Sequence, residues 1–133
     1  MDEISEDAKS FMSLALPAGV FSIHLIEAKS LVNRDFKILG QGISDPYAKV
    51  KIMADGLSHF FKTETVKDNL NPVWKLLIDL PVDDPDTMED LPIEVWDEDK
   101  VSKDDFLGSC VIPSTTLRTA IATGAAQASN QLL

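Results

Sequence analysis

Short segments of alternating apolar and polar residues recur along the middle of this chain, and they restrict its fold more than any other feature. In the segment GVFSIHLI, residues 19–26, Phe21, Ile23 and Leu25 fall on one face of an extended strand. The residues between them fall on the other face. Alternation with a period of two is typical of a β-strand that buries one side. The segment therefore predicts a first strand with an apolar inner face.

Five further segments predict strands, and turn residues such as ADG and NLNP separate them. They are YAKVKIM at 47–53, LSHFFKTETV at 57–66, VWKLLIDL at 73–80, LPIEVWD at 91–97 and FLGSCVIP at 106–113. The tail, residues 114–133, is rich in small residues and predicts some helix and a short strand at NQLL. Many short strands without a long helix favour an all-β fold, an antiparallel β-sandwich.

The chain length predicts one domain. At 133 residues it can form a single hydrophobic core but is short for two. Residues 1–18 are interpreted as a leader, in which DEISEDAKSFMSLAL predicts a short amphipathic helix that ends before Pro17. The folded domain is then expected to occupy residues 19–133.

The composition excludes several classes of function. A net charge of −10 argues against nucleic acid as a partner and means that a bare anionic membrane would repel the chain. The lone Cys110 cannot form an internal disulfide, and no apolar run approaches the ~20 residues of a membrane-spanning helix. The N-terminus is acidic, unlike a secretory signal. A cytoplasmic location is the expectation.

Aspartates cluster at the ends of predicted strands. Asp35 and Asp45 bracket the loop between the first two strands, while Asp97, Asp99 and Asp105 lie in the loop between the fifth and sixth. Loops at the same end of a sandwich meet in space, so five carboxylates can converge there. Oxygen ligands on flexible loops suit Ca²⁺, which takes about 6–8 of them. Neither loop contains the histidine or cysteine that zinc prefers.

The acidic loops have two alternative interpretations besides a calcium site. Acidic loops in an acidic protein are commonly only solvated, and composition does not exclude this. An EF-hand loop starting at Asp97 is excluded, because its sixth position is Ser102 instead of Gly and its twelfth is Gly108 instead of Glu.

Three motifs carry a family resemblance: SDPYAKV at 44–50, NLNPVW at 69–74 and VWDEDKVSKDDFLG at 95–108. In this order and at these separations they resemble C2 domains, the calcium-dependent lipid-binding β-sandwiches, over residues 19–113. The segments GVFSIHLIEAKSL, VNRDFKILGQGISDPYAKV and DEDKVSKDDFLGS resemble in particular the first C2 domain of the extended synaptotagmins. The resemblance implies a type II-like topology. Only 20 residues follow FLGSCVIP, so we expect a C-terminally truncated domain that lacks its last strand.

The resemblance also implies a set of metal ligands. In calcium-binding members two aspartates of the first loop and three of the third coordinate the ions, together with a serine or threonine in some cases. The matching positions here are Asp35, Asp45, Asp97, Asp99, Asp105 and Ser102. All five acidic positions are filled. The neighbouring Asp104 is interpreted as a solvated residue, with coordination of an outer ion as the alternative.

Loop tips and one strand face predict contacts with lipid. Apolar residues stand out in the otherwise polar loops, and insertion into a membrane is expected for Phe36, Ile38, Leu39 and Val101. Packing against the base of the loop is an equal alternative for Ile38 and Leu39. The second strand and its neighbour carry Lys49, Lys51 and Lys62, which suit phosphoinositide headgroups or form an ordinary solvated face.

The resemblance implies a calcium-dependent phospholipid-binding module, located peripherally at anionic membranes. Its family tethers membranes and transfers lipids at endoplasmic reticulum–plasma membrane contacts. One rival is a calcium-independent protein-interaction C2 module, for which vacant ligand positions are expected. The other is an enzyme that hydrolyses phosphoesters with metal-bound carboxylates. Neither acidic loop offers a histidine or cysteine as base or nucleophile, so we expect no enzyme and no small-molecule substrate.

Overall fold

The computed structural model describes residues 19–33 and 42–123. Within these ranges the strands are β1 (Gly19–Glu27), β2 (Pro46–Ala54), β3 (Leu57–Lys62), β4 (Val73–Val82), β5 (Leu91–Asp97) and β6 (Asp105–Ile112). A 3₁₀ turn, Pro85–Thr87, joins β4 to β5, and helix α1 (Ser114–Thr123) follows β6. The predicted leader helix, residues 34–41 of the first loop and the tail after residue 123 lie outside the described residues.

The strands form two antiparallel sheets. One has the order β3-β2-β5-β6, and the other consists of β1 and β4. The predicted all-β antiparallel sandwich is confirmed, and α1 confirms some helix in the tail. The third strand ends at Lys62, earlier than the predicted Val66, because Thr63 turns its hydroxyl to the N–H of Ala48 and accepts it over 2.8 Å. At this pair the side chain takes the place of one of the two ladder bonds, while the N–H of Thr63 still donates to the carbonyl of Ala48 over 2.9 Å.

Inward-facing side chains of both sheets form a single core. Phe21 of β1 and Ile78 of β4 pack against Val50 and Ile52 of β2, and none of these residues is more than 3% exposed. Leu117 of α1 adds to the same core at 2% exposure. The alternation of β1 and β2 predicted these inner faces correctly. Removing apolar area of this kind from water is the main stabilising contribution to the fold.

The β2–β3 turn follows directly from its sequence. Asp55 and Gly56 have φ angles of 55° and 76°, the left-handed pair that a two-residue type I′ hairpin requires. Asparagine, aspartate and glycine tolerate this conformation better than other residues. The predicted ADG turn is therefore confirmed.

Two predictions about the chain ends stay predictions. In the described ranges β1 is hydrogen-bonded to β4 and to no other strand. Because residues 124–133 lie outside those ranges, the absence of a last strand is not tested, and neither is the strand at NQLL. No helix in the described part of the chain has the length and apolar character needed to cross a membrane.

Candidate functional site

Strand register brings acidic residues to one end of the four-stranded sheet. Pro46, the first residue of β2, pairs with Asp97 at the end of β5, and Asp97 pairs with Asp105 at the start of β6. Asp45 directly precedes β2. The loop before β2 and the β5–β6 loop therefore leave the sheet side by side.

Hydrogen bonds tie three loops together at this end. The N–H of Asp45 donates to Oδ1 of Asp97 over 2.8 Å, and Asp97 is only 3% exposed. The N–H of Glu98 donates back to the carbonyl of Asp45 over 3.0 Å. Oδ1 of Asp45 in turn accepts the N–H of Asp68, from the β3–β4 loop, over 2.7 Å. The acidic side chains thus hold the loop bases in place.

Asp99 organises the tip of the β5–β6 loop. Its Oδ1 accepts the N–H groups of Val101 at 2.8 Å and Ser102 at 3.2 Å, and its Oδ2 accepts the Ser102 hydroxyl at 2.7 Å. These bonds hold the pKa of Asp99 below its usual value, and the bond from the N–H of Val101 contributes most. Asp99 is therefore ionised at neutral pH and bound to its own loop.

Asp104 has a larger role than the solvated neighbour that the sequence suggested. It is half-buried, its Oδ2 accepts the hydroxyl of Tyr47, and its Oδ1 accepts the N–H of Asp99 over 2.9 Å. The hydrogen bond from Tyr47 contributes most to lowering the pKa of Asp104. Burial, followed by the same hydrogen bond, raises the pKa of Tyr47. Tyr47 and Asp104 are 57 residues apart, so no local pattern indicates the contact.

The donor chemistry of these loops fits Ca²⁺, which binds carboxylate, hydroxyl and carbonyl oxygens. Asp45, Asp97 and Asp105 lie at adjacent strand ends, whereas Asp99 and Ser102 are bonded to each other. Among residues 19–33 and 42–123, no group of three or more His, Cys, Asp or Glu is close enough to hold a metal ion. The fifth predicted acidic ligand, Asp35, falls outside those residues.

The tip of the β5–β6 loop projects into solvent. Val101 is 96% exposed, and the flanking Lys100 and Lys103 are exposed as well. An apolar side chain surrounded by charged neighbours at a loop tip is suited to contact another surface. The other residues predicted to insert, Phe36, Ile38 and Leu39, lie outside the described residues.

The outer face of the four-stranded sheet forms a second feature, a groove of about 530 Å³. The three lysines predicted to bind headgroups all line it, together with Phe60, Pro92 and Glu94. Phe60 is 72% exposed. We call this surface the basic groove.

Aromatic rings support the lysines of the basic groove. The Nζ of Lys62 lies 4.4 Å from the ring centroid of Tyr47, and that of Lys49 lies 4.9 Å from Trp96. Lys51 stands 6.0 Å from Phe60. Such cation–π contacts hold an ammonium group while leaving it accessible.

Trp96 lies beneath Lys49 on the outer face of β5. Its Nε1 donates to Oε1 of Glu94 over 3.0 Å, and its ring meets Phe106 edge-on with centroids 5.4 Å apart. A bulge between Val95 and Trp96 sets this register. The shared spacing of Pro92, Glu94 and Trp96 along β5 was the available signal for this position.

Comparisons with known proteins agree with the geometry. The family model described as C2 domain matches residues 19–128. Extended synaptotagmin-3 of Homo sapiens is 43% identical over 97 residues, which cover 73% of this chain and 10% of that protein. The Mus musculus protein of the same name is 45% identical over 102 residues, which cover 76% of this chain and 11% of that protein. The chain thus spans about a tenth of the length of these curated relatives.

Two solved structures are similar as well. The calcium-bound pair of C2 domains of Extended-Synaptotagmin 2 aligns with a TM-score of 0.64 and 35% identity, over 77% of this chain and 37% of that one. A C2 domain of plant Extended Synaptotagmin 1 aligns with a TM-score of 0.62 and 28% identity. The alignment covers 74% of this chain and 71% of that one. The resemblance seen in SDPYAKV, NLNPVW and VWDEDKVSKDDFLG is confirmed, and this chain belongs to the C2 domain family.

Proposed function

We propose that this C2 domain binds anionic phospholipid membranes in a calcium-dependent manner, through the end of the sandwich that carries the aspartates. One observation supports the proposal above all. Strand register sets Asp45, Asp97 and Asp105 at one end of the sheet, and the exposed Val101 projects from the loop between two of them. Acidic and apolar groups are thus combined on one surface.

The carboxylates of this end repel anionic headgroups as long as their charge is not offset. The residues that would hold calcium are Asp35, Asp45, Asp97, Asp99 and Asp105, with Ser102. Bound calcium supplies positive charge that offsets these carboxylates and attracts lipid phosphates. For Asp99 and Ser102 to serve as ligands, their mutual hydrogen bond of 2.7 Å must be exchanged for contacts with the cation.

The loop tips are proposed to supply contacts with the bilayer. Complete burial of an apolar side chain such as Val101 contributes about 1.5–3 kcal/mol. Each lysine near an anionic surface, such as Lys100 or Lys103, adds about 1 kcal/mol. Phe36, Ile38 and Leu39 of the first loop are proposed to insert beside them.

The basic groove is proposed as a second contact, for phosphoinositide headgroups. Lys49, Lys51 and Lys62 are exposed, and each stands over an aromatic ring. The ring restricts the ammonium group, so less side-chain entropy is lost when a phosphate binds. An ordinary solvated strand face offers no such restriction.

Similarity to the extended synaptotagmins supports this proposal. The matched region of the extended synaptotagmins is a C2 domain, and the solved structure of Extended-Synaptotagmin 2 was obtained in a calcium-bound form. We propose a peripheral location at the cytoplasmic side of membranes, at endoplasmic reticulum–plasma membrane contacts, as part of tethering and lipid transfer. We propose no catalytic step.

Co-sedimentation with phosphatidylserine vesicles across a calcium titration tests the proposal. The Asp97→Asn, Asp99→Asn double variant should lose calcium-dependent binding. The matched control is Asp83→Asn, Asp86→Asn, which removes the same charge from exposed residues between β4 and β5, at the other end of the sandwich. It should bind like the parent chain. Equal binding by the parent chain with and without calcium would contradict the proposal.

A calcium-independent protein-interaction module is the second candidate. It is favoured by the hydrogen bonds that the carboxylate of Asp99 already accepts from Val101 and Ser102 of its own loop. It is also favoured by the lack of a cluster of three metal-binding groups in the described ranges. It predicts no calorimetric heat of calcium binding at millimolar concentrations and no calcium-dependent sedimentation. Calcium binding that disappears in the Asp97, Asp99 double variant would reject it.

A further inference from the structure

The connection between β4 and β5 carries a concentration of negative charge. Residues 83–90 contain five carboxylates and no basic residue: Asp83, Asp84, Asp86, Glu89 and Asp90. All five residues are exposed. No lysine or arginine lies between Lys75 and Lys100, so this whole stretch of the chain is without positive charge. We call residues 83–90 the acidic segment.

Hydrogen bonds hold the acidic segment in a fixed shape. The carboxylate of Asp55 accepts the N–H groups of Asp83 at 2.9 Å and Asp84 at 2.8 Å. Within the segment, the Thr87 hydroxyl donates to the carbonyl of Asp84 over 2.6 Å. A surface that is already ordered loses little conformational entropy when a partner binds it. The segment is therefore suited to binding as a preformed unit.

The basic groove has the opposite charge. Its ammonium groups belong to Lys49, Lys51 and Lys62, which are exposed and stand over aromatic rings. Phe60 lies beside them with 72% of its surface exposed. Aromatic residues are enriched in protein–protein interfaces, where a partner covers them. The groove therefore suits an acidic protein segment that also covers the ring of Phe60.

The acidic segment and the basic groove are neighbours on one molecule. The N–H of Glu89 donates to the carbonyl of Met53 on β2 over 3.3 Å, two residues from Lys51. Two residues beyond Asp90, Pro92 of β5 lines the groove itself. Two copies can therefore meet about a two-fold axis, each with its acidic segment on the groove of the other. An interface of this symmetry closes as a dimer.

We infer that a second copy of this chain binds the basic groove through its acidic segment, in a two-fold dimer. The inference does not depend on the proposed function. The net charge of −10 on each copy opposes association, and a contact made by one short segment and one groove on each side belongs to the small interfaces, below about 1,200 Å². We expect a weak dimer in concentrated solution, while the dilute chains of a vesicle assay stay monomeric.

Sedimentation equilibrium over a range of chain concentrations measures the dimer. The mass of the parent chain should rise from that of one chain towards that of two. The double variant Lys49→Glu, Lys51→Glu sets carboxylates against the acidic segment, and Asp83→Lys, Asp86→Lys sets ammonium groups against the groove. Each variant should stay monomeric at concentrations at which half of the parent chain is dimeric. A parent chain that is monomeric throughout would overturn the inference and leave the proposed function intact.

An equal mixture of the two double variants tests the pairing of the surfaces. In a mixed dimer the reversed groove of one copy faces the reversed segment of the other, and the two unaltered surfaces face each other. Both contacts are then attractive, so the mixture should dimerise at concentrations at which neither variant does. A mixture that stays monomeric would show that the segment and the groove are not partners.

Lys67→Glu, Lys75→Glu is the matched control for the groove variant. Both lysines are exposed and lie outside the basic groove, so these substitutions reverse the same charge and should leave dimerisation at the parent level. Thermal unfolding shows whether every variant is folded. Dissociation of the control to the same extent would assign the effect to net charge and overturn the inference.

Inositol 1,4,5-trisphosphate separates the dimer from the proposed headgroup site. A phosphate compound that binds the lysines must displace the acidic segment, so it should return the parent chain to the mass of one chain. A dimer that persists with the compound bound to the groove would overturn the inference. Absence of binding by the monomer would contradict the headgroup proposal alone, and the charge reversals would still decide the dimer.

Discussion

Ala48 and Thr63 are joined by a hydrogen bond that ends a strand. The N–H of Ala48 donates to the Thr63 hydroxyl over 2.8 Å, and that hydroxyl donates to the carbonyl of Glu64 over 2.9 Å. Thr63 is 4% exposed, and Ala48 is fully buried. Water therefore cannot replace the hydroxyl without a cost. This bond fixes the point at which the chain leaves β3 and enters the β3–β4 loop.

Thr63→Val should destabilise the fold. Valine has nearly the same shape but leaves the buried N–H of Ala48 without its acceptor, which costs about 1–3 kcal/mol. Urea denaturation followed by tryptophan fluorescence measures the change in the free energy of unfolding. Thr63→Ser keeps the hydroxyl and should lose less. Equal stability of the valine variant and the parent chain would show that the bond contributes nothing.

Two substitutions at Asp97 should affect the stability of the fold differently but abolish calcium binding alike. Asp97→Asn keeps a carbonyl oxygen for the N–H of Asp45, so the free energy of unfolding without calcium should fall by under about 1 kcal/mol. Asp97→Ala removes the acceptor, so the free energy of unfolding should fall by about 1–3 kcal/mol. A ligand that binds only the folded state raises the melting temperature. Calcium should therefore stabilise the parent chain in differential scanning fluorimetry and neither variant. Stabilisation of the asparagine variant by calcium would remove Asp97 from the ligand set.

Val101 should matter for membranes and not for folding. Val101→Ser changes a side chain that is 96% exposed, so the free energy of unfolding should shift by no more than about 0.5 kcal/mol. Vesicle affinity in the presence of calcium should fall about 10-fold, because a buried valine contributes about 1.5 kcal/mol. Leu57→Ser, an exposed apolar residue at the opposite end of the sandwich, is the control and should bind normally. Unchanged affinity of the Val101 variant would exclude insertion of this tip.

Asp55 should contribute to the acid sensitivity of the fold. Its carboxylate accepts the N–H groups of Asp83 and Asp84, and these bonds, with a further one from Thr87, hold its pKa below the usual value. The folded state thus binds the proton less tightly than the unfolded state. The stabilisation is therefore complete above the unfolded pKa of about 3.9 and is lost as the pH falls through the lower folded pKa.

Denaturation at a series of pH values tests this contribution. Asp55→Asn tolerates the left-handed backbone of the turn but cannot ionise. It should be less stable than the parent chain at pH 7, and the difference should shrink towards pH 2. A constant difference across that range would show that ionisation of Asp55 does not stabilise the turn.

The strands could be predicted because burial imposes a visible period on the sequence. Phe21, Ile23 and Leu25 of β1 follow that period, and so do Val50 and Ile52 of β2. The ADG turn could be predicted because few residues adopt two successive positive φ angles. In both cases a local physical requirement selects the residue type.

The candidate site could be predicted only in part. Motif spacing indicated that Asp45, Asp97 and Asp105 mark loop ends, and the sheet register puts them at one end. The bond from Tyr47 to Asp104 had no sequence signal, because it depends on how the β5–β6 loop folds back over β2. Such a long-range bond is set by tertiary geometry and leaves no period in the sequence. The bonds from Val101 and Ser102 to Asp99 are local, since they span two and three residues, and an aspartate in a loop is the available signal for such a turn.

The position of Trp96 has an optical consequence. Its indole lies 4.9 Å from the Lys49 ammonium and edge-on to Phe106, whereas the other tryptophan, Trp74, donates its Nε1 to the carbonyl of Pro46 over 3.3 Å. A phosphate that draws Lys49 off the indole changes the electric field at this fluorophore, and Trp74 serves as an internal reference. If the basic groove binds phosphate as proposed, Trp96 is an unlabelled emission reporter of that binding, and replacement of Trp74 with phenylalanine isolates its signal.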